Sequence, residues 1–395
     1  MNPEPVSIFH FNSTCEMAVA NGSPHYTAPT RLRELEKDLS PIMLFFARQN
    51  DIVLTKHPLS LSFQKMLEKA GIPLPSFMCL YDLKERFLKE ETNYKYSPQP
   101  WGKSPAEDIF FKNLLPESDS IWFPEMKNLF ERKTSLEFLK TFLTNYTRKE
   151  YPENIPFLIK KLPFPKINFQ EIFLKSPLSS SGRGLRTVKN GIPDQDTLRW
   201  INMILKKQGY LTCEQRYEKT SDFSFQFYVR KDHSVKYIGK TWFKTNEKGQ
   251  YEGHLLNAQM PREATALKTL IKETGENLCK SLSLSDYSLR YTGYLSIDAF
   301  LYKENNKIKI HPCVEINPRY NMGILSLYIE KYIHPSSKGY FLIYYNSKCP
   351  YSAFVHQQEK KNPIEISDHL ITKGFLSLTD YREDCSYGAY IILHT

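Results

Sequence analysis

Two acids, an amide and an arginine fall close together in this chain. Asp298 comes first, and Glu315, Asn317 and Arg319 follow within His311-Pro312-Cys313-Val314-Glu315-Ile316-Asn317-Pro318-Arg319. Carboxylate and amide oxygens suit a hard divalent cation such as Mg2+. A guanidinium beside them suits a phosphate or carboxylate. The set could hold magnesium against a nucleoside triphosphate.

A hairpin must position these groups. Residues 294–302 and 307–317 alternate like strands, with Lys303-Glu304-Asn305-Asn306 as turn material between them. Leu295, Ile297 and Ala299 share one face, and Ser296 and Asp298 the other, with Glu315 and Asn317 on the matching polar face of the second strand. With Asn305-Asn306 as a two-residue turn, Asp298 faces Cys313 and Glu315 faces Ser296. The acids are then diagonal neighbours roughly 7–8 Å apart. Pro312 cannot donate to a ladder, which predicts an edge strand or a bulge there. An amphipathic hairpin with a solvated polar face fits the same pattern equally well. His311 reads as a supporting or surface residue, because it has no partner at metal-ligand spacing.

A second motif precedes the hairpin. Glu171-Ile172-Phe173-Leu174-Lys175 reads as a short strand ending in a lysine, followed by Ser176-Pro177-Leu178-Ser179-Ser180-Ser181-Gly182-Arg183-Gly184. Small residues and glycines let backbone N–H groups close around phosphate oxygens. No Gly-Lys-Ser/Thr follows, so this is not a Walker loop. The third glycine of the dinucleotide fingerprint is also missing.

With these pieces, the chain resembles the ATP-grasp superfamily over roughly residues 120–340. The resemblance rests on Lys175 with its Ser/Gly loop, on Thr212-Cys213-Glu214-Gln215-Arg216-Tyr217, on Asp222-Phe223-Ser224-Phe225-Gln226, and on Asp298 with Glu315-Ile316-Asn317-Pro318-Arg319. Trp101-Gly102, Gly293-Tyr294 and Asn317 to Gly323 look like the branch with a pre-ATP-grasp domain, some members of which are peptide ligases. The resemblance implies a fold of two α+β lobes clasping a nucleotide, preceded by a small α/β domain. It implies that Lys175 and an earlier lysine, Lys133, meet phosphate oxygens. Lys133 stands just before Thr134-Ser135-Leu136-Glu137, which reads as a helix-opening capping box. The loop residues Ser180, Ser181, Gly182 and Gly184 would close over the phosphates. Glu214, with backbone groups near Gln215 and Tyr217, would hold adenine, and Asp222 the ribose. Asp298, Glu315 and Asn317 would hold Mg2+. Arg319 would face the transferred phosphate or a substrate carboxylate, and Lys240 would add a phosphate contact. Related ligases often carry arginine two residues before the first metal acid. Ser296 stands there, so Arg183, Lys240, Arg290 or Arg319 must supply the compensating charge.

Composition frames this reading. At 395 residues, with 41% hydrophobic and 14% aromatic side chains, the chain can fill two or three cores. Three parts are expected: residues 1–115 as an α/β pre-ATP-grasp domain, 116–345 as the nucleotide-binding unit, and 346–395 packing on that unit. Residues 92–125, rich in Pro, Ser and Asn, read as a linker. Helices are expected over about 194–207, closed by Gly209, and from near Pro261 through Ala264, Leu267, Leu270 and Ile271. Seven cysteines without a CxxC pair suggest reduced thiols and a cytoplasmic location. No apolar run approaches the length of a membrane span, and the N-terminus is not a signal peptide. The net charge of +10 favours anionic partners, with no motif for nucleic acid.

The expected activity is ATP-dependent joining of a carboxylate to an amine, both small molecules, through an acyl phosphate. A small-molecule kinase on the same scaffold and a non-catalytic nucleotide-binding module are the alternatives.

Overall fold

The computed structural model describes residues 5–89, 95–163, 169–178, 184–246, 251–258 and 267–394. Two compact units emerge. One comprises Met1–Phe123, Glu252–Gln259 and Tyr320–Thr395, and the other Pro124–Tyr251 and Met260–Arg319. Residues 320–345 and 346–395 therefore share a unit with the N-terminal 123 residues.

The first unit opens with β1 (Val6–His10), α1 (Cys15–Asn21), α2 (Thr30–Leu39), β2 (Ile52–Leu54), α3 (Leu61–Lys69), β3 (Ser76–Met78), α4 (Leu80–Lys89), β4 (Tyr96–Pro100) and α5 (Pro105–Leu114). The strands form a parallel sheet in the order β3-β2-β1-β4. Ile8, Ile52 and Val53 are buried, as expected for a parallel sheet covered on both faces. This is the small α/β layer expected at the N-terminus. The linker expected at 92–125 is corrected, because it contains β4 and α5. Its turn-like residues serve those elements. Pro98 and Pro100 sit on an edge strand. Ser104 caps α5 by accepting from the Glu107 N–H, with Pro105 in the first helical turn.

The second unit begins with α6 (Arg132–Asn145) and continues through β5 (Phe157–Ile159), β6 (Glu171–Lys175), β7 (Leu185–Lys189), α7 (Gln195–Gln208), β8 (Leu211–Gln215), β9 (Glu218–Val229) and β10 (Val235–Thr245). The sheet β5-β8-β6-β7 is antiparallel, and Ile201 and Ile204 of α7 share a core with its Ile172, Leu174 and Leu211. Asp194 caps α7, and Gly209 closes it at φ 83°. The capping box expected at Thr134–Glu137 is not the start of α6. The helix begins at Arg132, two residues earlier, without a side-chain cap. Thr134 and Ser135 are freed for other bonds.

β11 (Tyr251–Leu256) then leads to α8 (Lys268–Ser283), α9 (Asp286–Arg290), β12 (Gly293–Glu304) and β13 (Lys307–Asn317). Within the second unit, β13, β12, β9 and β10 lie side by side and antiparallel. Pro261 and Ala264 lie outside the described residues, while Ile271 of α8 is buried as expected. The first unit is completed by α10 (Met322–Ile329), β14 (Lys338–Tyr345), α11 (Tyr351–Lys361), β15 (Glu365–Ser367), β16 (Leu370–Ser377) and β17 (Tyr387–His394). Its second sheet runs β11-β14-β17-β16-β15. No helix among the described residues is long and apolar enough to cross a membrane.

Candidate functional site

The site is built on the β12–β13 hairpin. Asn305 and Asn306 take positive φ (49° and 58°), and Glu304 pairs with Lys307, so the two-residue turn forms as read. The register beyond it does not. Phe300 pairs with His311, yet Asp298 pairs with Glu315. Two residues of advance on β12 therefore match four on β13 (311 to 315). The surplus falls at Pro312-Cys313-Val314, where Pro312 has no N–H to give the ladder. The predicted pairings of Asp298 with Cys313 and of Glu315 with Ser296 are thus corrected. The two acids face each other directly, and Ser296 faces Asn317. The bulge tightens the site that a regular ladder would have left diagonal.

α6 buttresses this strand. Ser135 Oγ accepts a hydrogen bond from the Ile316 N–H at 3.1 Å. From the first turn of the same helix, Arg132 reaches Glu315 at 3.0 Å, and its Nε donates to the Ser176 carbonyl at 3.1 Å. Lys133, the residue chosen from sequence, points elsewhere. It is exposed, and its ammonium lies 3.8 Å from Glu137 one turn along. Arg132 holds the interior place instead. A helix beginning at Arg132 turns that side chain inward and Lys133 outward, and the misread capping box hid this.

At the acid pair, Asn317 donates its amide N–H to Asp298 at 3.1 Å, and Arg319 donates to Asn317 Oδ1 at 3.4 Å. Burial, then the facing Glu315 carboxylate, pushes Asp298 up to about 7, although Arg319 and the Asn317 hydrogen bond pull the other way. Two carboxylates held face to face in this way would gain from a cation between them. Among the described residues no three or more His, Cys, Asp or Glu side chains gather for a metal ion. The donors here are one acid pair plus an amide, an all-oxygen set that fits Mg2+ better than a softer ion.

Lys175, at the end of β6, pairs with Glu214 on β8 in a largely buried ion pair. Burial and Arg132 lower the Lys175 ammonium, with Glu214 opposing them. Burial would raise Glu214, yet Lys175, His311 and Arg132 outweigh it and hold the carboxyl low. Lys175 also feels the Glu315 carboxylate. Lys175, Glu214, Arg132, Glu315, Asp298, Asn317 and Arg319 thus form one row of charged and amide groups, in which the Glu315 and Asp298 carboxylates are the one adjacent pair of like charge.

The remaining expected residues divide. Asp222 pairs with Lys219 at 2.9 Å and accepts from Thr245 Oγ1 at 2.8 Å. It lies opposite Phe300, on the acid-bearing face of the sheet. Tyr217 donates its hydroxyl to the Asn154 carbonyl at 3.0 Å. Gln215 accepts from Asn154 at 2.8 Å and lines a polar cleft of about 420 Å³ with Gln170, Glu171, Lys189, Asn190 and Arg216. Gly184 accepts at its carbonyl from the Ser176 N–H, 2.9 Å. Lys240 is not brought to the row. It pairs with Phe225, which faces Ile297, whereas Asp298 and Ser224 lie on the opposite face with Thr241. Ser180, Ser181, Gly182 and Arg183 lie outside the described residues.

The same face carries an aromatic group that sequence reading did not assign to the site. Phe300 stacks on His311 at 4.9 Å, and Tyr217 packs on Phe300, Tyr302 and His311 at 5.7, 4.5 and 5.9 Å. His311 is 2% exposed, so the surface reading is corrected. Only the period-two alternation continuing from Asp298 through Phe300 to Tyr302 could have signalled this group.

No protein-family model and no curated protein sequence matches the chain. Solved structures do match it along its length. N5-carboxyaminoimidazole synthetase from Staphylococcus aureus, complexed with ADP, is 11% identical with a TM-score of 0.51, covering 100% of this chain and 95% of its own. The biotin carboxylase domain of Hydrogenobacter thermophilus 2-oxoglutarate carboxylase, in complex with MgADP, ADP and bicarbonate, is 12% identical with a TM-score of 0.51, covering 98% and 86%. Biotin carboxylase from Campylobacter jejuni, in a β-γ-ATP complex, is 13% identical with a TM-score of 0.50, covering 99% and 88%. The chain has the ATP-grasp fold.

Proposed function

We propose that the chain is an ATP-dependent carboxylate–amine ligase that works through an acyl phosphate with Mg2+. The observation that carries this is the polarity of one sheet face. Tyr302, Phe300 and His311 make an aromatic end. Asp298, Glu315, Asn317 and Arg319 make a charged end, with Arg132, Lys175 and Glu214 beside it. Four strand steps, roughly 13 Å, separate Tyr302 from Asp298. A base at one end and phosphates at the other would suit a nucleoside triphosphate, with Asp222 between them for the ribose.

Asp298 and Glu315, with the Asn317 amide, would hold Mg2+. When bound, the ion would neutralise charge on the phosphate oxygens. Lys175 and Arg132 would hold those oxygens in place. Arg319 would orient the substrate carboxylate for attack on the terminal phosphorus. ADP leaves, and an acyl phosphate forms. The amine nitrogen then attacks the acyl carbon, loses its proton, and expels phosphate. No nucleophilic side chain is required, because positioning and fixed charge supply the catalysis. The neighbours' bound ADP and MgADP support the nucleotide part of the reading. The reduced-thiol composition supports a cytoplasmic location.

ADP release over pooled carboxylic acids and amines tests the proposal. Steady turnover that needs both a carboxylate and an amine is expected. Turnover with a single acceptor and no amine would make the protein a kinase. Nucleotide binding without turnover under any mixture would leave only a binding module.

A further inference from the structure

Two buried polar atoms on the aromatic end have no hydrogen-bond partner among the described residues: the His311 Nδ1 and the Tyr302 hydroxyl. Leaving such atoms buried and unpaired costs stability. Native structures tolerate this where a ligand completes the set. Both belong to one ring cluster, with Phe300 stacked on His311 and packed on Tyr302 at 5.8 Å. Tyr217 is the one half-exposed ring in the cluster and touches the other three. Its side-chain tether is a hydrogen bond to a loop carbonyl, that of Asn154. The Lys175–Glu214 pair adjoins His311, since Glu214 and His311 each feel the other's charge. The cluster therefore lies where the sheet face leads into the phosphate-binding row.

We propose that His311 and Tyr302 read the nucleobase: once the Tyr217 ring swings aside, the Nδ1 and the hydroxyl meet the polar edge of a purine. The inference rests on the nucleotide-binding reading above and adds its specificity. The base would take the place of the Tyr217 ring beside Phe300, with its polar edge toward the His311 Nδ1 and the Tyr302 hydroxyl. Ring contact of that kind holds any base, so discrimination falls to the two polar atoms. Adenine and guanine differ at the six-position, where one offers an amino group and the other a carbonyl.

The test measures binding of ATP, GTP and tripolyphosphate, each with Mg2+, by calorimetry. The proteins are the full chain and its variants His311→Leu, His311→Gln and Tyr302→Phe. The wild type should separate ATP from GTP by roughly tenfold or more, the effect of one buried hydrogen bond. His311→Leu should collapse that ratio toward one, His311→Gln should keep part of it, and Tyr302→Phe should narrow it. Ligand-free melting curves confirm that each variant is folded, and Tyr302→Phe carries the test if the His311 variants are not. A His311→Leu protein that keeps the wild-type ratio overturns this inference and leaves the nucleotide site standing. A wild type that binds neither nucleotide nor tripolyphosphate overturns the site itself, and this inference with it.

Discussion

The two ends of the β12–β13 face are built on opposite principles. The charged end gives its buried groups partners: Lys175 with Glu214, Arg132 with Glu315, and Asp298 with Asn317, which in turn accepts from Arg319, although Asp298 still faces the Glu315 carboxylate. The aromatic end buries rings and leaves two polar atoms unpaired. A compensated row is stable but depends on each member, because deleting one strands its partner. An apolar floor survives polar deletions and loses selectivity instead. The two ends should therefore fail in different ways when mutated.

The largest effect is expected at the compensated pair. Lys175→Met leaves Glu214 buried and unpaired and should cost about 3–5 kcal/mol of stability. A denaturant midpoint checks this, and a loss comparable to that of a surface pair would break the contrast. Next comes Arg319→Ala, which should slow turnover by roughly 10²–10³-fold, as for removal of one fixed charge at a developing anion, with a smaller loss of ligand-free stability than Lys175→Met because Asp298 keeps its Asn317 hydrogen bond. Steady-state kinetics beside a melting curve separates the two effects.

The ends should also respond oppositely to pH. Asp298 is raised to about 7, so the stability tied to its protonated form is present below the ordinary carboxylate range and lost as pH climbs through about 7. His311 is lowered to about 4 by burial, which outweighs the pull of Glu214. Its contribution is present above the ordinary histidine range and lost as pH falls through about 4. Without metal ion, Asp298→Asn should remove a fall in stability between about pH 4 and 7, and His311→Leu a rise over much of the same range. Melting temperatures across pH distinguish these outcomes from a single shared shift. The smallest effect belongs to Lys133→Ala, which should change stability by no more than about 0.5 kcal/mol and leave nucleotide binding alone, because its ion pair is exposed.

The same contrast explains what could be read from the sequence. Oxygen-bearing side chains gathered on the polar face of one hairpin made Asp298, Glu315 and Asn317 stand out, and Lys175 stood out at a strand end before a Ser/Gly loop. Asn305-Asn306 named its own turn, and β6 ends at Lys175 as read. Phe300 and Tyr302 looked like ordinary strand residues, because an aromatic floor and a core share one composition. His311 looked isolated because its neighbours come from Tyr217 and Glu214, far away in sequence. The register beyond the turn was hidden because a bulge is a property of the ladder, and Pro312 announces that a break exists without saying how many residues it absorbs. Arg132 was missed through the helix start, where a plausible capping box lay one half-turn inside the real end.

The central claim is that Asp298 and Glu315 face each other to grip a cation against a bound nucleotide. Calorimetric titration of ATP with and without Mg2+, for the wild type and Glu315→Ala, tests it most directly. Binding that Mg2+ strengthens in the wild type, with this strengthening lost in Glu315→Ala, is the result expected. Equal magnesium dependence in the two proteins, or none in the wild type, would contradict it.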